Sequence, residues 1–237
     1  MNRNEHSLSI VCRISPHFDL RACGFVICHS MNSAGKAFEQ WDERYRAEEY
    51  FYGTEPNDFL KSQVDRLLPG ASVLCLAEGE GRNAVFLAKQ GFSVTAVDGS
   101  AQGFVKLQKL AAQAGVNVRT VVKDLAHFDM GQRQWDAIVS IWCHLPQPLR
   151  AEIHRRVVVA LKPGGFFILE AYTPRQLQYK TGGPPNATML MTRDLLRTEL
   201  AGLEIQIAQE VDREIHEGKG HNGKSAVVQF VARKPRR

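Results

Sequence analysis

Two glycines one residue apart, Gly79 and Gly81, lie between the carboxylates Glu78 and Asp98, a set of residue types that can hold a nucleoside. Without a Cβ, each glycine lets the chain bend sharply and lets a ligand approach the backbone. Amides left unpaired at the start of a following helix, here Arg82-Asn83, point to the same place. Asp98, placed on the tip of the next strand, can accept hydrogen bonds from both ribose hydroxyls of an adenosine. Asp124 is expected to meet an adenine amino group and Leu125 to cover its ring, with Asp124 as a plain turn cap the alternative. His144 and His221 are the candidates for a base acting on a second substrate, although a lone histidine such as His144 also serves as a structural hydrogen bonder.

Two cofactors compete for the glycine turn. Gly79-Glu-Gly-Arg-Asn-Ala84 satisfies G-x-G-x-x-G/A, with Asp98 near the spacing of a dinucleotide site, which admits NAD. Glu78 opposes it, because a pyrophosphate approaching that carboxylate meets like charge. S-adenosyl-L-methionine carries a sulfonium, an ammonium and no phosphate, and suits the turn better. A third possibility is that Glu78 and Asp98 only cap helices and solvate strand ends.

The elements that position these residues follow from hydrophobic pattern. Val73 to Ala77 is apolar, short and stopped by the glycine turn, which predicts a buried strand. Arg82 to Gln90 has helical spacing and ends at Gly91, and Val94 to Val97 forms the next strand, ending on Asp98. A right-handed crossover makes the two strands parallel. Upstream, Ala37 to Tyr52 reads as an amphipathic helix carrying Phe38, Trp41 and Tyr45. Tyr50 to Pro56 then forms an aromatic loop able to act as a lid, and Asp58 to Leu68 a further helix.

Downstream, a helix at 102–114, a strand at 116–122, a strand at 135–141 and a helix at 149–161 continue the alternation. Lys162-Pro-Gly-Gly165 reads as a helix stop before a strand at 166–171. Residues 172–186 form a loop too long and too rich in Gly and Pro for a tight connection. After a helix at 192–200, strands at 203–215 and 225–232 joined by 217–223 have no room for a helix between them, so they pair antiparallel. A dinucleotide fold would instead repeat its strand-helix unit.

Length and composition bound the reading. The chain has 237 residues, 44% hydrophobic and 23% charged, with a net charge of +5. This suits one α/β core and suggests neither disorder nor a membrane span. Arg233, Lys234, Arg236 and Arg237 supply much of the excess charge and read as a solvated tail at 234–237, not a nucleic-acid surface. Cys12, Cys23, Cys28, Cys75 and Cys143 form no C-x-x-C pair, so no metal site is expected, and a reducing cytoplasm fits them. Met31 directly precedes a helical segment, so residues 1–30 read as a leader from an upstream start and 31–233 as a single domain.

Taken together, A-E-G-E-G-R-N, V-D-G-S, D-L after the third strand, L-K-P-G-G and the closing hairpin resemble a class I S-adenosylmethionine-dependent methyltransferase over about residues 37–233. Y-G-T-E-P-N-D-F-L, C-H-L-P, Q-L-Q-Y-K-T-G-G-P and E-G-K-G-H-N-G-K-S-A-V-V-Q are similar to a bacterial branch called tellurite-resistance-like or thiopurine-methyltransferase-like. One departure is that Ala77-Glu78 sets the acid beside the glycine, where the usual turn reads D-x-G-x-G. The resemblance implies a three-layer α/β/α Rossmann-like sandwich with a seven-stranded, mostly parallel sheet of order 3-2-1-4-5-7-6 and an antiparallel last strand. It implies that Glu78, Gly79 and Gly81 hold the methionine part, Asp98 the ribose, and Gly99, Asp124 and Leu125 the adenosine side. Arg82 and Asn83 begin the helix beneath the cofactor, and Arg44, Tyr45 and Tyr50 close over it. A small methyl acceptor is expected in a partly aromatic pocket lined by Trp142, Tyr172 and Tyr179, with no nucleic-acid or membrane partner and a monomer or weak homodimer as the assembly. A non-catalytic S-adenosylmethionine-binding protein is the alternative from another class.

Overall fold

The computed structural model describes residues 38–236. Seven strands form one sheet in the order β3-β2-β1-β4-β5-β7-β6. The strands are β1 Ser72–Leu76, β2 Ser93–Asp98, β3 Arg119–Val122, β4 Trp135–Ile141, β5 Leu161–Tyr172, β6 Glu204–Glu217 and β7 His221–Arg233. Parallel pairing joins β1 to β2, β1 to β4, β2 to β3 and β4 to β5. Only β7 runs against its neighbours, pairing antiparallel with both β5 and β6. This is the Rossmann-like architecture that the sequence implies.

Successive residues of a buried strand face opposite sides of the sheet, and β1 shows what that does here. Val73 and Cys75 pack with α2 (Asp58–Gln63), α3 (Arg82–Lys89) and α4 (Ala101–Gln113) through Phe59, Leu60, Val85, Leu87, Phe104 and Leu107. Leu74 and Leu76 pack on the other face with α5 (Leu149–Ala160) and α6 (Arg193–Glu199) through Ile153, Val157 and Leu196. Two apolar layers on one sheet therefore make the sandwich, and their near-continuous apolar strands are those of a sheet covered on both sides. Among the described residues no helix is long and apolar enough to cross a membrane.

Several boundaries differ from the sequence pattern, each for a tertiary reason. The aromatic helix, α1, covers 38–45 and stops short of Tyr52. Beyond it the carbonyls of Ala47 and Glu49 and the amides of Phe51 and Tyr52 are taken by side chains from α4 and the glycine turn. The strand expected from Val116 starts at Arg119, because the Val116 amide closes α4 by bonding Ala111 O at 3.0 Å. Lys162 to Gly165 is not a gap before β5 but an excursion within it, with Trp135 opposite Leu161 and Ala137 opposite Phe166. Lys234, placed in the tail by composition, exchanges backbone bonds with Gly164 and Gly165 there. The hairpin is longer than expected, since Glu217 pairs with His221 and only residues 218–220 turn. The leader assigned to 1–30 lies outside the described residues.

The loop after β5 is tied down. Gln176 is 1% exposed; its Oε1 accepts the Ala226 amide of β7 at 2.9 Å and its Nε2 donates to Thr181 and Gly182. Removing that side chain leaves the amide unpaired inside the protein. Gln176→Ala is expected to cost about 1–3 kcal/mol in denaturant melts and to make 174–186 the first site of limited proteolysis.

Candidate functional site

Strand order reverses between β1 and β4, and in an open α/β sheet ligands bind at the strand tips beside that reversal. The residues just past the two tips, Ala77 with φ 49° and Trp142 with φ 59°, both have left-handed backbone. A side chain there costs on the order of 1 kcal/mol, a strain tolerated mainly where geometry matters to function. Between them lie Gly79 (φ 58°) and Gly81 (φ 90°), where a Cβ on residue 81 would fall 2.2 Å from Leu107 Cγ. Only glycine lets the turn bend this closely against α4.

Both carboxylates of the turn are engaged by backbone amides. Asp98 Oδ2 accepts the Gly79 amide at 2.9 Å and Oδ1 the Ser100 amide at 2.7 Å. Glu78 Oε1 accepts the Ala84 amide at 2.7 Å, capping α3. Burial pushes Glu78 up to about 7, against the pull of the Ala84 amide and Arg82 and with a push from Asp98. Burial likewise raises Asp98, although the Ser100 and Gly79 amides favour its charged form. The nearby Asp98 charge thus adds to the cost of ionising Glu78.

An aromatic layer covers this turn. A Cβ on Gly79 would lie 2.7 Å from the Tyr45 hydroxyl, and the Phe38 ring lies against Gly99. Asp42 accepts the Ser100 hydroxyl at 2.5 Å, docking α1 to the start of α4. Arg44 donates to the Tyr52 hydroxyl at 3.0 Å and lies over Trp41 and Phe51, 4.6 and 5.1 Å from their ring centres. Tyr50 donates to Lys106 O at 3.0 Å, on α4. Glu80 and Lys106, which the sequence reading passed over, fasten the segment. Glu80 is buried between the two glycines, accepts the Phe51 and Tyr52 amides at 3.1 Å each and pairs with Lys106 at 2.5 Å.

Arg82 and Asn83 turn their side chains away from the glycine turn. Arg82 pairs with Glu217 of the hairpin, and Asn83 Oδ1 accepts the Asn57 amide at 2.9 Å. Asn57, fully buried, donates to Glu170 at 2.6 Å and Glu217 at 2.8 Å. Arg213 reaches Glu170 at 2.7 Å, and Trp142 donates its indole N–H to Glu217 at 2.6 Å. The T-E-P-N-D, E-G-E-G-R-N and E-G-K-G-H-N stretches thus meet in one buried cluster of two arginines and two glutamates. The signal for it was Glu170, a charge inside the otherwise apolar F-F-I-L-E-A-Y of β5.

His144 is committed to the backbone: Nε2 accepts the Tyr172 amide at 2.9 Å and Nδ1 lies 3.0 Å from Trp142 O. Burial pushes it down to about 4, so it is neutral and has no lone pair to spare. His221 sits 4.7 Å from the Tyr52 ring and 4.9 Å from Trp142, with Nδ1 2.8 Å from the Tyr172 hydroxyl. Asp124 accepts the Ala126 amide at 2.9 Å as a turn cap, and Leu125 packs in the core layer of α5. Tyr179 donates to Asp212 on β6 at 2.8 Å, outside the group formed by Tyr52, Trp142, Tyr172 and His221.

Residues 73–165, which span β1 to the start of β5, match the family model described as a methyltransferase domain. The match covers β1 to β4 and the helices between them. No curated protein matches the sequence significantly. Among solved structures, the domain is similar to one from work on the conversion of a disulfide bond into a thioacetal group during echinomycin biosynthesis. That likeness has 18% identity and a TM-score of 0.68 over 84% of this chain and 92% of that one. It is also similar to TehB from Haemophilus influenzae, at 20% identity and a TM-score of 0.61 over 83% and 66% of the two chains. A third likeness is to an S-adenosylmethionine-dependent methyltransferase from Methanosarcina mazei, at 18% identity and a TM-score of 0.60 over 72% and 95%. At these identities the likenesses establish the fold. The buried charge cluster is the part of the fold most open to a stability test. Arg213→Met leaves Glu170 unpaired and is expected to cost about 3–5 kcal/mol in denaturant melts. Lys219→Met, which breaks only the exposed pair with Glu49, should leave the melt nearly unchanged.

Proposed function

We propose that this chain is an S-adenosylmethionine-dependent methyltransferase acting on a small-molecule acceptor. The observation that carries the reading is the pair of part-buried carboxylates, Glu78 and Asp98, held by backbone amides at a glycine turn beside the switch point. A pyrophosphate would worsen that charge balance, and a ligand bearing an ammonium and a sulfonium would relieve it. Bound there, S-adenosylmethionine supplies a methyl group already activated by the sulfonium.

The chain's own residues then bind and orient. Glu78 and Gly79 face the charged amino acid part, Asp98 keeps acceptor capacity for ribose hydroxyls, and Tyr45 with Phe38 excludes water from above. Tyr52, Trp142, Tyr172 and His221 form the wall against which a small acceptor is held in line with the methyl group, and such positioning supplies much of the rate. His144, with both ring nitrogens engaged by the backbone, takes no proton from the acceptor.

The cation requirement has a pH signature. Below about 7 Glu78 is protonated in the free protein, so binding a cation must first expel that proton. Affinity for S-adenosylmethionine is expected to fall by about tenfold for each pH unit below 7 when titrated by calorimetry, and NAD should bind more weakly at every pH. Glu78→Gln should flatten that dependence. The same variant should melt at a higher temperature at pH 8. The folded protein holds the Glu78 proton more tightly than the unfolded chain, so stability drops as pH rises from the ordinary glutamate range toward 7, and the variant lacks that loss. Tighter binding of NAD, or affinity unchanged between pH 6 and pH 8, would overturn the reading. Release of S-adenosylhomocysteine from labelled donor with a metabolite extract, above an Asp98→Ala background, separates an enzyme from a protein that only binds the compound.

A further inference from the structure

Residues 46–57 form neither helix nor strand, so the partners of their backbone groups decide what holds the segment in place. Two parts of the molecule supply those partners. On one side Glu80, buried between the two glycines, accepts the Phe51 and Tyr52 amides. There Lys106 of α4 also donates to Ala47 O at 2.9 Å and Glu49 O at 2.5 Å. On the other side the β6–β7 turn donates the Lys219 amide to Phe51 O at 2.8 Å. Phe51 is the crossing point, its N–H held from the glycine turn and its C=O from the hairpin.

The fit at the hairpin leaves no slack. Gly218 has φ 66°, and a Cβ on it would lie 2.4 Å from Phe51 O and 2.6 Å from the Gly53 nitrogen. A Cβ on Gly220 would fall 2.3 Å from the Tyr52 ring. The atoms in the way at Gly218 are backbone, so a side chain there displaces the segment itself. Hydrogen bonds weaken steeply as their geometry departs from the optimum. Phe51 therefore cannot move its carbonyl away from the hairpin without loosening the amide that Glu80 holds.

We propose that residues 47–53 form a clamp with two anchors, Glu80 with Lys106 and the Gly218–Lys219 turn, and that the hairpin turn thereby sets how long the cofactor stays bound. The retention claim rests on the methyl-transfer reading and deepens it by naming Gly218 as a positioning residue that acts only through Phe51. The clamped segment continues directly from α1, which lays Tyr45 on Gly79. It is also tied to Glu80, inside the cofactor turn. Loosening either anchor frees the cover from the turn, and the two anchors are coupled because they share one residue. The Lys219 side chain adds little, since its pair with Glu49 is exposed.

The test is amide hydrogen exchange of the full chain, read by NMR at Phe51, Tyr52 and Lys219, together with the dissociation rate of S-adenosylhomocysteine. Without ligand, Gly218→Ala is expected to speed exchange at these amides by about tenfold, including those that bond Glu80 and not the hairpin. Glu80→Gln, at the other anchor, should speed exchange of the Lys219 amide in the same way. The amide of Leu74, in the core of β1, should keep its rate, which separates local loosening from general destabilisation. Arg155→Gln, which breaks an exposed pair on α5, should change none of them. Bound S-adenosylhomocysteine should leave Gly218→Ala about tenfold faster than it leaves the wild type. Faster exchange at Lys219 alone, an equal rise at Leu74, or a dissociation rate that Gly218→Ala leaves unchanged would overturn the proposal. Failure of the wild type to bind S-adenosylhomocysteine would sink the methyl-transfer reading and the retention claim with it, while the clamp is judged by the exchange measured without ligand.

Discussion

The Asp98 carboxylate, bonded to the Gly79 amide across the tips of β1 and β2, is the contact on which the site depends. It fixes the glycine turn against the tip of β2, the strand with which β1 pairs along its length. It also places a second acid within reach of Glu78, whose ionised form burial already disfavours, while burial and then Asp42 raise Asp98 itself. The repulsion between them works against folding even as each caps backbone amides. The pair's persistence at the crevice between β1 and β4 makes physical sense if a positive ligand completes the charge balance.

Around that turn, two more acids tie distant segments together. Glu80, between the glycines, holds the amides of residues 51 and 52 and so fixes the aromatic segment. Glu217, at the end of β6, holds Arg82 and Trp142 and so fixes the ring cluster beside the hairpin. The glycine turn, the aromatic segment and the ring cluster are thus linked through charged groups that are themselves buried. A change in any of the three moves partners in the others, because buried ion pairs lose strongly when one member is removed.

Much of this was legible in sequence. The strand-turn-helix-strand unit, its glycines and the closing hairpin follow from apolar runs and breakers that act locally. The strand order, carried by the family resemblance, agrees with the sheet observed. What could not be read is what polar residues do after the chain brings distant segments together. Asn57, Glu170, Arg213 and Glu217 come from four segments and meet only in the fold. Arg82 looked like part of the cofactor turn because its backbone is, but its side chain answers to Glu217. The aromatic helix was overextended because capture by Glu80 and Lys106 outcompetes helix propensity beyond Tyr45.

The central claim is that the strand tips are electrostatically prepared for a cationic adenosyl ligand, and the charge on Glu78 reports it most directly. Carbon NMR of the labelled Glu78 carboxyl, titrated with and without S-adenosylmethionine, reads that charge at the atom concerned. The account predicts a carboxyl titrating at about 7 in the free protein and well below that once the ligand is bound. A carboxyl that titrates in the ordinary glutamate range in the free protein, or one that the ligand leaves unchanged, would contradict it.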